Sequence, residues 1–188
     1  FNMLFLEEIW SRNFTNLFIA PLKLKEIIVA LIFTALIRTL IGLVPAIILT
    51  APLFGVSIFN LGFPLLLLFL SLYIFGITLG LFVSAGLIRF GPSFENIAWS
   101  SLFLLAPLGC IYYPIEILPN FFQSIAKGLP LVYIFDETRN ILINDFVNYD
   151  NLKKAYYLNF IYLTCGIILF YYCFLKARIK GTLINMGE

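Results

Sequence analysis

The sequence contains no histidine, and only 12% of its residues are charged. Histidine is the commonest general base and the commonest metal ligand, so its absence argues against most acid–base and metal-dependent catalysis. Soluble domains have about 25% charged residues, whereas 62% of the residues here are hydrophobic. Such a chain has too little polar surface to cover a globule in water, which indicates that lipid is part of its surroundings.

Cysteine is also scarce. The three cysteines, Cys110, Cys165 and Cys173, lie in apolar runs at spacings that match no metal or redox motif, so we expect small buried side chains and predict no metal site. The net charge of +2 is too small to indicate a nucleic-acid partner. The sequence begins at Phe1 and not at an initiator Met, and residues 1–6 are typical of the end of an apolar span. We therefore expect further sequence upstream.

Four apolar stretches reach or approach the length of about 20 residues that a helix needs to cross a bilayer. They are residues 27–51, 61–87, 97–113 and 155–175. The third stretch is short and contains Pro107, which predicts a kink or a tilt. Unpaired backbone groups are not tolerated in lipid, and the stretches do not alternate as barrel strands do. The predicted fold class is therefore an all-α polytopic membrane protein.

The positions of the basic residues predict the orientation of these spans. When the spans alternate, three basic segments fall on one side: Arg12, Lys23 and Lys25; Arg89; and Lys176, Arg178 and Lys180. The other side receives residues 52–60 and the longer segment 114–154, in which acids accompany the basic residues. Because Lys and Arg accumulate in cytoplasmic loops, we expect the basic segments and the C-terminus to be cytoplasmic.

Residues 8–19, which precede the first span, have an amphipathic pattern. Five apolar side chains fall on one face of a helical wheel: Ile9, Trp10, Phe14, Leu17 and Phe18. Such a helix is suited to lie in the membrane interface or to dock in a groove of a soluble partner. The pattern leaves both interpretations open.

Arg38 is the one charge placed deep in a predicted span, about 18 Å along the helix axis from Glu26. A central Arg costs at least about 2.5–3.5 kcal/mol unless it is paired or hydrated. Two interpretations stay open: a structural Arg bonded to carbonyls or to an acid between helices, or an Arg that lines an aqueous path or contacts an anionic head group.

Residues 114–143 predict two short apolar helices separated by Gly128 and Pro130. Both are too short to cross the bilayer, so a hairpin that enters the membrane from the outer side and returns is expected. Asp136, Glu137 and Arg139 lie close together within it, and such an acid–Arg group is more often a structural clamp than a catalytic one.

Several of these segments resemble the signature of type-2 ATP-binding cassette (ABC) export permeases. The resemblance is carried by residues 105–119, Ile125-Ala126, Leu129-Pro130 and residues 135–139, and residues 8–21 and 86–91 are also similar to that family. Its most specific part is Tyr113–Arg139. The resemblance implies an ABC-2 exporter fold with six spans per subunit, of which this chain lacks the first and much of the second. It implies two permease copies, as a homodimer, and two cytoplasmic ATPase subunits, in the inner membrane of a bacterium.

On this resemblance residues 8–19 form the coupling helix that contacts the ATPase, and residues 114–143 form the re-entrant hairpin before the last span. The implied ATPase-contacting residues are Glu8, Trp10, Arg12, Asn13, Phe14 and Leu17, although many members carry Gly-Thr where this chain has Arg12-Asn13. The residues expected to line the translocation path or to act as structural clamps are Arg38, Glu116, Asp136, Glu137 and Arg139.

The sequence contains no Gly-rich phosphate loop, so we expect ATP and Mg²⁺ on the partner, no cofactor here and no catalytic residue. The expected substrate is a drug, a lipid or a glycan. One alternative is a secondary transporter or channel without an ATPase, but ion-coupled carriers usually keep several acids or His within spans. A second is a membrane-embedded lipid-modifying enzyme using Asp136, Glu137 or Glu116, which the absence of His disfavours. A purely structural subunit is the third.

Overall fold

The computed structural model describes residues 2–11, 24–54, 62–144 and 147–180. Over these residues the regular structure is helical and contains no strand. The α-helices are α1 (Asn2–Trp10), α2 (Leu24–Phe54), α3 (Phe63–Phe90), α4 (Glu95–Leu108), α5 (Asn120–Ala126), α6 (Pro130–Asn144) and α7 (Tyr149–Lys180). Short 3₁₀ turns occupy Pro92–Phe94 and Ile115–Ile117. The predicted all-α polytopic membrane fold is confirmed for this part of the chain.

Three helices are long and apolar enough to cross a membrane. Their qualifying stretches are Lys25–Thr50 in α2, Phe63–Phe90 in α3 and Tyr149–Ile179 in α7. These helices correspond to the first, second and fourth predicted spans, 27–51, 61–87 and 155–175, and α7 begins earlier than expected. Buried backbone groups are paired within each helix, as a lipid environment requires.

The third predicted span, 97–113, differs from the structure. Helix α4 has 14 residues and ends at Leu108, so it is about 21 Å long and shorter than a hydrocarbon core of about 30 Å. Pro107 lies in its last turn. Gly109 then donates to the Leu105 carbonyl at 2.7 Å, and Cys110 has a φ of 53°. This left-handed residue ends the helix, because an L side chain does not continue a helix from that conformation.

The chain divides into two compact units, to both of which α3 and α7 contribute. The first contains Phe1–Leu49, Gly76–Glu95 and Cys165–Glu188. Its core includes the buried residues Leu6, Leu81 and Phe170. Gly166 of α7 lies close to Leu81 of α3, since a Cβ at position 166 would be in van der Waals contact with the Leu81 Cβ at 3.5 Å.

The second unit contains Thr50–Phe75 and Asn96–Thr164. One buried cluster joins α3, α6 and α7 through Leu68, Ile134, Ile141, Leu152 and Ala155. Polar contacts accompany it: the Tyr156 hydroxyl donates to the Leu67 carbonyl at 2.7 Å, and the Asn159 amide donates to the Ser71 hydroxyl at 2.8 Å. Helix α6 is therefore packed against the other helices of its unit rather than extending as an isolated loop.

Candidate functional site

Two polar clusters stand out among the described residues. We call Glu7, Trp10, Arg38 and Glu95 the α1 junction; all four belong to the first unit. A second cluster, which we call the α6 clamp, lies in the second unit. Its members are Cys110, Asp136, Glu137, Arg139, Asn148 and Asn151.

Helix α1 is the framework of the α1 junction. It starts at Asn2 in the apolar N-terminal run, and its last turn contains Glu7, Glu8 and Trp10. The Ser11 N–H donates to the Glu7 carbonyl at 2.9 Å. The predicted amphipathic segment 8–19 therefore starts inside a helix that begins earlier. Residues 12–23 lie outside the described part of the chain, and Arg12, Asn13, Phe14 and Leu17 lie there with them.

Arg38 of α2 forms an ion pair with Glu7 of α1. Its Nη1 lies 2.8 Å from both carboxylate oxygens, and the two side chains are 55% and 44% exposed. The structure thus pairs Arg38 with an acid on another helix, which is one of the contacts that the structural interpretation of Arg38 predicts. Sequence reasoning missed Glu7, although the Glu7-Glu8 pair directly after an apolar run was a signal that an acid stood near membrane depth.

Trp10 contacts Glu95, a residue that sequence reasoning did not select. The Trp10 Nε1–H donates to the Glu95 carboxylate at 3.3 Å. Glu95 is the first residue of α4 and directly follows the turn Pro92–Phe94. An acid in the first turn of a helix is stabilised by the helix dipole, which explains why Glu95 stands at the start of α4. The sequence gave no indication that Trp10 would be its partner.

The turn before Glu95 is held closely against the end of α3. Gly91 has a φ of +79° and donates to the Leu87 carbonyl at 2.8 Å. The Phe94 ring lies directly over Gly86, where a Cβ would come within 2.2 Å of it. Phe94 also stacks on Phe90 at a centroid distance of 5.6 Å. Close packing of this kind leaves the turn little freedom to move independently of α3.

Arg139 connects α6 to the end of α4 in the α6 clamp. Its Nη1 donates to the Cys110 carbonyl at 2.8 Å, and its Nη2 lies 3.7 Å from a carboxylate oxygen of Asp136. Cys110 is fully buried. The guanidinium thus satisfies the carbonyl of a residue in a strained backbone conformation.

Glu137 joins α6 to the start of α7. Its side chain is 0% exposed, and its carboxylate accepts the Asn148 backbone N–H at 2.6 Å and the Asn151 amide at 3.3 Å. Asn148 in turn accepts the Asp150 N–H at 3.0 Å. A buried carboxylate is tolerated where such donors replace water. The arrangement thus connects α6 to the start of α7 through a buried carboxylate.

The remaining predicted site residue, Glu116, is exposed in the turn Ile115–Ile117. Within the described ranges no hydrogen bond or ion pair joins it to the α6 clamp. The structure therefore brings Asp136, Glu137 and Arg139 together and leaves Glu116 at the surface. Among those same residues no three side chains of Cys, Asp or Glu are grouped so as to hold a metal ion.

A family model described as ABC-2 type transporter matches residues 1–143, which is 143 of the 188 residues. The chain belongs to the ABC-2 type transporter family. Searches among curated proteins and among solved structures find no match. The match covers the α1 junction and the α6 residues of the clamp but ends before α7. The protein is thus an ABC-2 type permease, a membrane transport protein.

Proposed function

We propose that this ABC-2 permease is the transmembrane subunit of an ATP-driven exporter in the bacterial inner membrane. Two copies form the translocation path for a drug, a lipid or a glycan, and separate cytoplasmic ATPase subunits supply the energy. The ATPase binds residues 8–19, and the C-terminus lies on the same cytoplasmic side.

The contact between Trp10 and Glu95 is the observation that carries this proposal. The distribution of Lys and Arg assigns the segment after α1 and the turn between α3 and α4 to the cytoplasmic side. The hydrogen bond of 3.3 Å between Trp10 and Glu95 requires both to lie on one side. Trp10 is 53% exposed next to this contact, so an apolar surface remains for a soluble partner.

The segment between α4 and α7 supports a re-entrant hairpin on the outer side. Helices α5 and α6 have 7 and 15 residues, so each is shorter than a membrane span of about 20 residues. Phe121 and Ile143 are 72% and 77% exposed. Large apolar side chains with this exposure favour contact with lipid, while the α6 clamp satisfies the polar groups on the inner face.

The source of energy follows from what the sequence contains. No G-x-x-x-x-G-K-[ST] loop occurs in the 188 residues, so these residues contain no phosphate-binding loop of the kind that binds ATP in ATPases. In the proposed complex the partner hydrolyses ATP with Mg²⁺. This chain receives the resulting movement through residues 8–19 and passes it to the spans.

The test is co-purification of the permease with an ABC ATPase, combined with Trp10→Asp. We expect the variant to insert into the membrane. ATPase binding and permease-stimulated hydrolysis should each fall about tenfold, because a charged side chain replaces the aromatic ring that packs against the ATPase in the proposed complex. Asn96→Asp is the matched control, since it adds the same charge at an exposed position next to Glu95. Transport by the purified permease without any ATPase would contradict the proposal.

A further inference from the structure

Helix α1 is attached to three other parts of its unit within a few residues of its C-terminal end. Glu7 pairs with Arg38 of α2 at 2.8 Å. Phe5 meets Phe170 of α7 edge-on at a centroid distance of 6.1 Å. Trp10 bonds Glu95 at the start of α4. A displacement applied at Ser11, where the described part of α1 ends, therefore acts on several helices together.

The contact at Glu95 differs from the other two because it reaches a turn between two helices. That turn is packed on α3 through Phe94 and Gly86, and α4 continues directly from Glu95. Glu95 therefore lies at the junction of the end of α3, on which the turn is packed, and the first residue of α4. The other two contacts each reach the side of one long helix, α2 or α7.

We propose that Glu95 is a positioning residue for energy coupling: by accepting the Trp10 N–H, it makes the turn between α3 and α4 move with the end of α1. The inference rests on the proposed function, because it needs an ATPase acting on residues 8–19. It adds a second route, since movement reaches α3 and α4 directly and not only through α1 and α2.

The chemistry of the pair suits this role. The indole N–H can only donate a hydrogen bond, and an ionised carboxylate can only accept one. In this contact Trp10 is therefore always the donor and Glu95 always the acceptor. A charged acceptor also strengthens the bond relative to a neutral one. Glu95→Gln keeps an acceptor oxygen at nearly the same place, whereas Glu95→Ala removes it. The two variants therefore separate loss of the bond from loss of the charge.

The experiment uses the complete complex with its ATPase in lipid nanodiscs. Spin labels are attached at Met3→Cys, in α1 but outside residues 8–19, and at Ser93→Cys in the turn, both exposed positions of the first unit. Cys165→Ser removes the exposed native thiol. The distance between the labels is measured with ADP and with trapped ATP. In the native and Glu95→Gln complexes we expect the same label-to-label distance with ADP and with trapped ATP. In the Glu95→Ala complex we expect this distance to change with the nucleotide. ATPase binding should be retained in all three.

Coupled ATP hydrolysis provides the second readout. Glu95→Ala is expected to lower permease-stimulated hydrolysis about tenfold, and by less than about twofold when Trp10→Phe has already removed the indole donor. Asn96→Ala, at the neighbouring exposed residue, is the control expected to match the native rate. The inference would be overturned if Glu95→Ala lowered hydrolysis by the same factor in the native protein and in Trp10→Phe, because Glu95 would then act through other contacts.

The two proposals fail in different ways. If the native permease binds no ATPase, both the exporter function and the role of Glu95 are wrong. If the ATPase binds and stimulates normally but Glu95→Ala leaves the label distances and the hydrolysis rate unchanged, the exporter function stands and the role of Glu95 is wrong.

Discussion

The carboxylate of Glu137 accepts the backbone N–H of Asn148 at 2.6 Å and thereby joins α6 to the segment that starts α7. Glu137 is completely buried, and its second oxygen accepts the Asn151 amide. Amide donors thus take the place that water has around an exposed carboxylate. A hairpin connected in this way to the last membrane helix is held in position by hydrogen bonds as well as by apolar packing.

Replacement of Glu137 should therefore destabilise the folded protein. We expect Glu137→Ala to lower the free energy of unfolding by about 1–3 kcal/mol, because the part-buried Asn148 N–H and Asn151 amide both lose this acceptor. Glu137→Gln should cost less, since one acceptor oxygen remains. Thermal unfolding in detergent measures the effect, with Asn144→Ala at the exposed end of α6 as control. Equal melting temperatures for Glu137→Ala and the control would show that the contacts contribute nothing.

Labelling with a membrane-impermeant maleimide tests the orientation. Ser124→Cys, exposed in α5, should react in intact cells, whereas Ser93→Cys, exposed in the turn before α4, should react only after the membrane is opened. The expected difference follows from the distribution of Lys and Arg. Reaction of both residues from the same side would contradict the re-entrant hairpin and the coupling proposal together.

The helices and the polar contacts differ in how far the sequence predicts them. Apolar length is a local property, so α2, α3 and α7 follow from composition and the lipid requirement alone. The contacts of Arg38 with Glu7 and of Trp10 with Glu95 join residues 31 and 85 positions apart, and no periodicity within one sequence pairs them.

The end of α4 and the α6 clamp show a second limit. Pro107 indicated a disturbance of the helix, but it did not reveal the left-handed conformation of Cys110 or the hydrogen bond that Arg139 donates to its carbonyl. The sequence shows Asp136, Glu137 and Arg139 as neighbours. It did not reveal that Glu137 and Arg139 bond the backbone groups of Asn148 and Cys110, because every residue carries the same backbone groups.

The ion pair of Glu7 and Arg38 should show measurable coupling in a double-mutant cycle. Either single change, Glu7→Ala or Arg38→Ala, leaves one charge on a mainly apolar helix without its partner, while the double variant removes both. We expect a coupling energy of about 0.6–1.7 kcal/mol, the range found for polar pairs in membrane bundles. Unfolding in detergent provides the measurement, and strict additivity of the two single effects would exclude the interaction.

Gly86→Ala should disturb the turn that carries Glu95. A Cβ at position 86 would lie 2.2 Å from the Phe94 ring, a distance that forces the ring to leave its place between Gly86 and Phe90. Overpacking of this kind costs about 1–3 kcal/mol. Because the ring stabilises the turn, its displacement should move Glu95 away from Trp10 and lower coupled ATP hydrolysis in the same direction as Glu95→Ala.

A second substitution separates this steric effect from a change in the backbone of α3. Phe94→Ala removes the ring that a new methyl group at position 86 would meet, so the Gly86→Ala change should cost less in that background than in the native protein. The unfolding free energies of the four variants give this difference. If Gly86→Ala is equally destabilising with and without the Phe94 ring, the close packing of residue 94 on α3 is not its cause, and the turn is held by its backbone hydrogen bonds alone.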